Sequence, residues 1–194
     1  MSARVVVTGM GCVSPIGAGV EAFEEALFAG KSGLTTSKLA TSGDGEETLA
    51  YEIQGFRPQK WLGPKGIRVL DRSARLVCVS AHMALQDSDL LLEEGGAKDP
   101  SIGLVCGTMF GSVHSIASFD WSSLEDGVKY VNPMLFPNTV INSPAGQAAI
   151  KHNLQGVNST IAAGMTSGLY AIHYASEFIR LGRNKTLLAG GVEE

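Results

Sequence analysis

The sequence predicts an α/β layered fold with a mainly parallel sheet. Short apolar, β-branched runs such as 102–107 and 157–162 have the length and composition of buried strands. Longer stretches with apolar residues at helical spacing lie between the runs, and the clearest is Val69 to Ser88. Glycine is frequent (24 residues) and has no period, which is typical of tight strand-to-helix turns. Buried strands that alternate with helices favour a parallel sheet covered by helical layers.

The pattern gives the following elements in chain order. Strands are predicted at Val5 to Thr8, Tyr51 to Phe56 (a short edge strand), Ile102 to Gly107, Val157 to Ala162 and Thr186 to Ala189. Helices are predicted at Val20 to Ala29, Val69 to Ser88, His114 to Glu125, Gln147 to His152 and from the end of the fourth strand through Ile179. The polar, Gly- and Ser-rich stretch from Thr35 to Glu47 predicts a surface loop. Pro137, Pro144 and Gly146 are expected to break the chain before the helix at Gln147.

Composition narrows the class of protein. The chain has 194 residues, of which 44% are hydrophobic and 18% charged, and a net charge of −4. This is typical of a globular domain with a substantial core, and it gives no electrostatic reason to expect nucleic acid or an anionic membrane as a partner. No apolar run reaches membrane-spanning length, and the N-terminus lacks a signal-peptide pattern, so a cytoplasmic protein is expected. Cys12, Cys78 and Cys106 are widely spaced in apolar contexts, which predicts buried free thiols.

The most informative segment runs from Thr160 to His173 and predicts a strand that turns sharply into a helix. Such an elbow presents one side chain at a helix N-terminus, where free backbone N–H groups favour developing negative charge. A cysteine there would have a lowered pKa and would make a good acyl acceptor. The residue at this position is Met165, whose thioether has no proton to lose. The pattern therefore indicates a nucleophile site without its nucleophile.

Several ordered motifs resemble those of the β-ketoacyl-acyl-carrier-protein synthases. In that family a Cys lies two residues before the Ser of a Ser-Gly pair, the position of Met165 before Ser167 and Gly168. The remaining matches are the opening Arg4 to Gly17, the helix start Leu70-Asp71-Arg72, the segment Val131 to Asn138 running into Ser143 to Gln147, and the final Leu188 to Glu194. The resemblance covers nearly the whole chain.

The resemblance implies a thiolase-like layered αβαβα sandwich, of which residues 1–194 are the N-terminal half only. The family's catalytic histidines and lysine belong to the other half. Since the chain stops three residues after the apolar and glycine run Leu187 to Gly191 of a predicted core strand, we expect a complementary C-terminal half, from a second chain or segment, to complete the fold. No cofactor and no metal are implied.

A ketosynthase-like chain without the Cys is most similar to the chain-length factor, the non-catalytic partner in type II polyketide synthases. That subgroup often carries Gln at this position, so Met165 removes the amide on which a decarboxylase role would rest. The implied partners are a catalytic, Cys-bearing ketosynthase subunit and an acyl carrier protein. By the same resemblance, Val113, Ile116 and Asp120 would line the end of an acyl tunnel. Pro133, Met134, Leu135 and Phe136 would form a stiff apolar wedge at the partner interface.

Other interpretations stay open at this stage. Thr166 or Ser167 would serve as nucleophile in a ketosynthase-like acyltransferase or hydrolase, with a His from the missing half as base. The tunnel face would otherwise be ordinary core, and Met165 a side chain that fills a gap in the core. A dinucleotide-binding domain is disfavoured because the glycine pattern after the first strand is incomplete and no acidic residue follows at the required distance. The histidines at 82, 114, 152 and 173 lie on separate predicted elements and do not have metal-ligand spacing.

Overall fold

The computed structural model describes residues 4–37 and 47–194. The helices are α1 (Val20–Phe28), α2 (Gln59–Leu62), α3 (Arg72–Asp87), α4 (Val113–Glu125), α5 (Ser143–His152) and α6 (Ser167–Arg180), with 3-10 helices at Ile67–Val69 and Pro133–Asn138. The strands are β1 (Val13–Ser14), β2 (Gly17–Ala18), β3 (Thr35–Thr36), β4 (Leu49–Ala50), β5 (Gly103–Gly107), β6 (Asn158–Ile161) and β7 (Leu187–Gly191). None of the helices in these ranges combines the length and apolar character that a membrane span requires.

A three-stranded parallel sheet with the order β6-β5-β7 forms the centre of the domain. Leu104 of the middle strand lies opposite Asn158 on one side and Leu188 on the other. Every residue of β5 is buried. A strand that is covered on both faces can be apolar at every position, and this is why its sequence shows a continuous run rather than alternation.

Helices cover both faces of the sheet. Val105 points to one face and packs with Ala171 and Ala175 of α6. Its neighbours Leu104 and Cys106 point to the other face and join the larger core that α3 and α5 complete. The predicted layered α/β architecture with a parallel sheet is confirmed.

Helix α3 is the central element of the larger core. The predicted stripe of Leu70, Ala74, Val77, Ala81 and Leu85 is buried throughout. The helix begins at Arg72, three residues later than predicted, because Asp71 caps it: the Asp71 Oδ1 accepts a hydrogen bond of 2.8 Å from the backbone N–H of Ala74.

The predicted buried strand at Val5 to Thr8 is wrong. This segment is not part of a strand, and the side chains of Val6 and Val7 are 58% and 78% exposed. The chain after it lies directly on α3, where a Cβ on Gly11 would come 2.2 Å from the carbonyl oxygen of Ser80. An apolar run alone therefore does not establish that a segment is buried within this domain.

Two further boundaries differ from the prediction. The edge strand expected at Tyr51 to Phe56 is instead β4, which ends at Ala50 and pairs with Thr35–Thr36 inside the predicted loop. Residues 38–46 of that loop lie outside the described residues. Helix α5 begins at Ser143 rather than Gln147, because Pro144 fits the first helical turn, where its missing N–H costs no hydrogen bond.

Candidate functional site

The elbow between β6 and α6 has the predicted geometry. The strand ends at Ile161, the helix begins at Ser167, and Gly164 between them has a φ of +60°, a left-handed conformation that favours glycine. Met165 follows this glycine, and its side chain is 96% exposed. Because of this exposure, Met165 fills no gap in the core of the described domain.

Two hydroxyl groups close the elbow. The Ser167 hydroxyl donates a hydrogen bond of 2.6 Å to the Gly164 carbonyl and accepts one of 2.9 Å from the Ala163 N–H. The Thr166 hydroxyl donates to the Ala163 carbonyl at 2.8 Å. Both hydroxyl protons are therefore directed at backbone oxygens of the turn. This arrangement stabilises the turn and differs from that of a nucleophile hydrogen-bonded to a base.

Three glycines bring the elbow against the sheet. Gly107 at the end of β5, Gly168 in the first turn of α6 and Gly191 at the end of β7 are in backbone contact, and a Cβ on Gly107 would come 2.3 Å from the carbonyl carbon of Ser167. At Gly107 there is no room for a Cβ, so a glycine is required there for the helix N-terminus to come this close to the strand end. The elbow is thus fixed by backbone packing, independently of the side chain at position 165.

An open pocket of about 420 Å³ lies at this junction. Its lining residues are Gly107, Met109, Gly164, Met165, Ser167, Gly168, Gly191, Val192 and Glu193. The set contains no histidine and no cysteine within the described residues, and Glu193 is its one ionisable member. The Glu193 carboxylate accepts a hydrogen bond from the backbone N–H of Met109. The pocket therefore has a helix N-terminus that can receive an anion, and its one carboxylate is bonded to a backbone N–H.

Helix α4 and the 3-10 helix at Pro133–Asn138 carry the residues expected to form the tunnel and the interface. No side chain of α4, which is described throughout, is buried; Val113 and Asp120 are exposed and Ile116 is half-buried. The wedge residues are all exposed: Pro133, Met134, Leu135 and Phe136. The Phe136 ring lies 6.1 Å from the Phe119 ring, so the 3-10 helix packs on α4. Within the described domain these residues form a surface and not a core.

A histidine pair lies between α3 and α5, away from the elbow; His152 is buried and His82 is half-buried. The His152 Nε2 lies 2.8 Å from the Cys78 carbonyl, which can only accept, so Nε2 carries the proton. The Nδ1 has no partner in the part of the chain that is described, and the His82 ring centroid lies 5.9 Å away. Burial lowers the pKa of His152 from 6.5 to about 4. This pair was not predicted, because residues seventy positions apart meet only when α3 packs on α5.

The free cysteines agree in part with the prediction. Cys78 and Cys106 are buried, and burial raises the pKa of each to about 12, so both thiols stay protonated. Cys12 is only half-buried. No group of three or more His, Cys, Asp or Glu side chains in residues 4–37 and 47–194 is arranged to hold a metal ion.

The family model of the β-ketoacyl synthase N-terminal domain matches residues 2–194. The chain belongs to the β-ketoacyl synthase family. It is 32% identical to 3-oxoacyl-[acyl-carrier-protein] synthase 2 of Vibrio cholerae and 33% identical to the Coxiella burnetii protein of the same name, over 98% of this chain in both cases. It covers 46% and 45% of those proteins, so the chain spans about half the length of the curated relatives it matches.

Solved structures agree with this assignment. The ishigamide ketosynthase/chain length factor matches with a TM-score of 0.83 and 33% identity, over 97% of this chain and 52% of that one. A ketosynthase of a type II polyketide synthase, solved with its acyl carrier protein and bound to the hexaketide, matches with a TM-score of 0.80 and 26% identity, over 100% of this chain and 52% of that one. The resemblance drawn from the motifs and the thiolase-like fold of the N-terminal half are confirmed.

Proposed function

We propose that this β-ketoacyl synthase domain belongs to a non-catalytic, chain-length-factor type of subunit. It pairs with a Cys-bearing ketosynthase, completes the acyl tunnel of that enzyme and limits the number of condensations on an acyl carrier protein. The catalytic partner carries out the carbon–carbon bond formation. The function concerns polyketide or fatty acyl synthesis, and we place it in the cytoplasm.

The observation that carries the proposal is the exposed Met165 at the helix N-terminus of the elbow. A thiol here would first lose its proton. The resulting thiolate would attack the carbonyl of an acyl thioester and release the carrier's thiol. A thioether that attacked the same carbonyl would become a sulfonium, which has no proton to release and cannot hold the acyl group. The backbone conformation of a nucleophile site is present, but the side chain at position 165 cannot hold an acyl group.

The alternative of a hydrolase or acyltransferase has weaker support. Ser167 is buried and its hydroxyl donates to Gly164, while Thr166 donates to Ala163. To act as a nucleophile, either hydroxyl would have to leave a bond that closes the turn. The elbow that presents it would loosen as a result.

The exposed surface of α4 and its neighbouring 3-10 helix supports the roles proposed for them. Val113, Ile116 and Asp120 are not core residues, so they are available to line a cavity that a partner completes. Met134 and Phe136 are large apolar side chains in solvent, bracketed by two prolines that fix the backbone. Exposed apolar groups on a stiff segment are typical of the central part of a protein interface.

The proposed assembly contains three partners. They are the ketosynthase subunit, an acyl carrier protein and the C-terminal half that completes this fold, whether in the same polypeptide or another. Among the relatives, the carrier complex of the type II ketosynthase and the ketosynthase/chain length factor pairing are of the kinds proposed here.

Acylation by a carrier thioester tests the catalytic silence directly. The complex is incubated with acyl-carrier-protein thioester, and this subunit is then analysed by intact mass spectrometry. We expect no acyl adduct on it, while the ketosynthase partner becomes acylated. Met165→Cys provides the matched control, since the retained turn and helix dipole should make its thiol readily alkylated by iodoacetamide. A stoichiometric acyl adduct on Ser167 or Thr166 of the wild-type chain would refute the proposal and favour the hydrolase or acyltransferase.

A further inference from the structure

Helix α4 is attached to the domain in an unusual way for a helix of thirteen residues. It buries none of them, although Gly111 and Ser112 immediately before it are buried. Helices of soluble domains usually gain their position from a buried apolar stripe. Besides the packing of Phe119 on Phe136, the position of α4 therefore depends on specific contacts at its start.

Asp71 makes one of these contacts. While its Oδ1 caps α3, its Oδ2 accepts a hydrogen bond of 3.1 Å from the hydroxyl of Ser115. Ser115 is the third residue of α4 and lies between the two apolar residues of the proposed tunnel face, Val113 and Ile116. The Asp71 carboxylate thus connects the start of α3, the most deeply buried helix, to the first turn of α4, which buries no residue.

The segment that leads into α4 has a second attachment, to the end of β7. Glu193 accepts a hydrogen bond from the N–H of Met109, and Glu194 accepts one of 3.3 Å from the N–H of His114. The Thr108 hydroxyl accepts a further bond of 3.0 Å from the N–H of Gly111. Negative groups at a helix N-terminus are favourable because the helix dipole is positive there. These contacts fix where α4 begins, and the Asp71–Ser115 bond sets the side of the helix that faces α3.

We propose that Asp71, acting through Ser115, is a positioning residue that fixes the orientation of α4 and thereby the point at which the acyl chain stops. The consequence for product length rests on the function proposed above; the consequence for α4 does not. A helix without a buried stripe can rotate or fray when such a contact is lost. A rotation would move Val113 and Ile116 away from the tunnel and allow longer and more varied products.

The test uses the assembled complex and four variants. Ser115→Ala removes the contact and leaves the cap of α3 intact, whereas Asp71→Ala removes both. Asp71→Asn keeps an acceptor for the Ala74 N–H and places an amide donor opposite the Ser115 hydroxyl, so it should behave like the wild type. Ser118→Ala, an exposed serine on the same helix, is the control for loss of a hydroxyl group.

Two measurements are made on each variant: amide hydrogen exchange in the first two turns of α4, and the product distribution at matched turnover. We expect Ser115→Ala to exchange about five-fold faster there, as loss of one hydrogen bond predicts, with products shifted to longer and more mixed lengths. Asp71→Asn and Ser118→Ala should leave both unchanged. Unchanged exchange in Ser115→Ala would overturn the positioning role. Faster exchange with unchanged products would overturn the link between α4 and length, and would leave the catalytic silence tested by acylation untouched.

Discussion

At the scale of single residues, Met165 shows that the elbow keeps its backbone conformation without a nucleophilic side chain. The turn is held by the left-handed Gly164, by the hydroxyls of Thr166 and Ser167, and by the backbone contact of Gly107 with the helix. None of these depends on the side chain at position 165. A site of this kind can lack a nucleophile and keep its shape, as the proposed pairing with a catalytic subunit requires.

His152 gives the first residue-scale prediction, a loss of stability in mild acid. Its pKa falls from 6.5 to about 4 on folding because the ring is buried, and His82 and Lys151 lower it further. Below pH 6.5 the unfolded chain binds a proton that the folded chain does not, so stability falls as the pH falls towards 4. This group alone should cost about 2 kcal/mol between pH 7.5 and pH 5. Urea denaturation at the two pH values measures it.

His152→Gln is the matched control for this prediction. A glutamine amide can still donate to the Cys78 carbonyl, but it does not titrate. The variant should be somewhat less stable at pH 7.5 and should lose less stability than the wild type on going to pH 5. If both proteins lose the same amount, the acid sensitivity comes from other groups and His152 does not contribute to it.

The sequence predicted the strand-to-helix elbow better than the contacts between distant elements. The Ser-Gly pair located Met165 at the elbow, whereas the hydrogen bonds by which Thr166 and Ser167 close the turn are visible only in the structure. The His82–His152 pair and the Asp71–Ser115 bond could not be predicted, because each joins elements distant in sequence. The residue at the elbow can be identified from the sequence around it, whereas contacts between distant residues depend on how the helices pack.

At the scale of elements, α4 carries a prediction about product length. If Val113 and Ile116 wall the tunnel end, Val113→Phe or Ile116→Trp should shorten the products by about one or two condensations. Forcing a longer chain past a packed ring costs about 1–3 kcal/mol, which disfavours the longer product by about five- to 150-fold. First acylation of the ketosynthase's Cys should be almost unchanged. Product analysis of the reconstituted complex measures the effect.

Ser118→Phe is the matched control on this helix. Position 118 lies on the face of α4 opposite to that of Val113 and Ile116, so the same ring adds bulk without entering the tunnel. It should leave product length unchanged. Unchanged lengths for Val113→Phe and Ile116→Trp in complexes that still turn over would show that another element sets the limit.

Elements with a local signal were predicted well, and those that depend on a distant partner were not. Helix α3 has both a cap and a continuous stripe, and β5 is apolar at all positions, so each was placed to within a few residues. The start of α5 was missed because Pro144 was interpreted as a helix breaker, although proline is well tolerated in a first turn. The segment Val5 to Thr8 has the composition of a strand, but composition alone does not provide a neighbouring strand to pair with.

At the scale of the whole molecule, the domain presents apolar surfaces that a solitary protein would not keep. Besides the α4 surface, helix α6 has Leu169, Tyr170 and Ile172 exposed. Large exposed apolar patches mark sites of association. The two surfaces fit the two proposed neighbours, namely the other half of the fold and the ketosynthase subunit.

The distribution of charge gives the last prediction. Although the net charge is −4, the stretch 53–70 contains no acidic residue and four exposed basic ones: Arg57, Lys60, Lys65 and Arg68. An acyl carrier protein presents its chain on a phosphopantetheine arm whose phosphate is anionic, and a concentrated positive surface attracts such a partner over several ångströms.

We therefore expect Lys65→Glu with Arg68→Glu to weaken carrier binding to the complex by about ten-fold or more at low salt, and by less at high salt. Titration calorimetry or fluorescence anisotropy with the holo carrier measures this. Arg183→Glu with Lys185→Glu, at two exposed basic residues elsewhere, changes the net charge by the same amount and is the control. Equal weakening by the two double variants would show that no local surface on 53–70 receives the carrier.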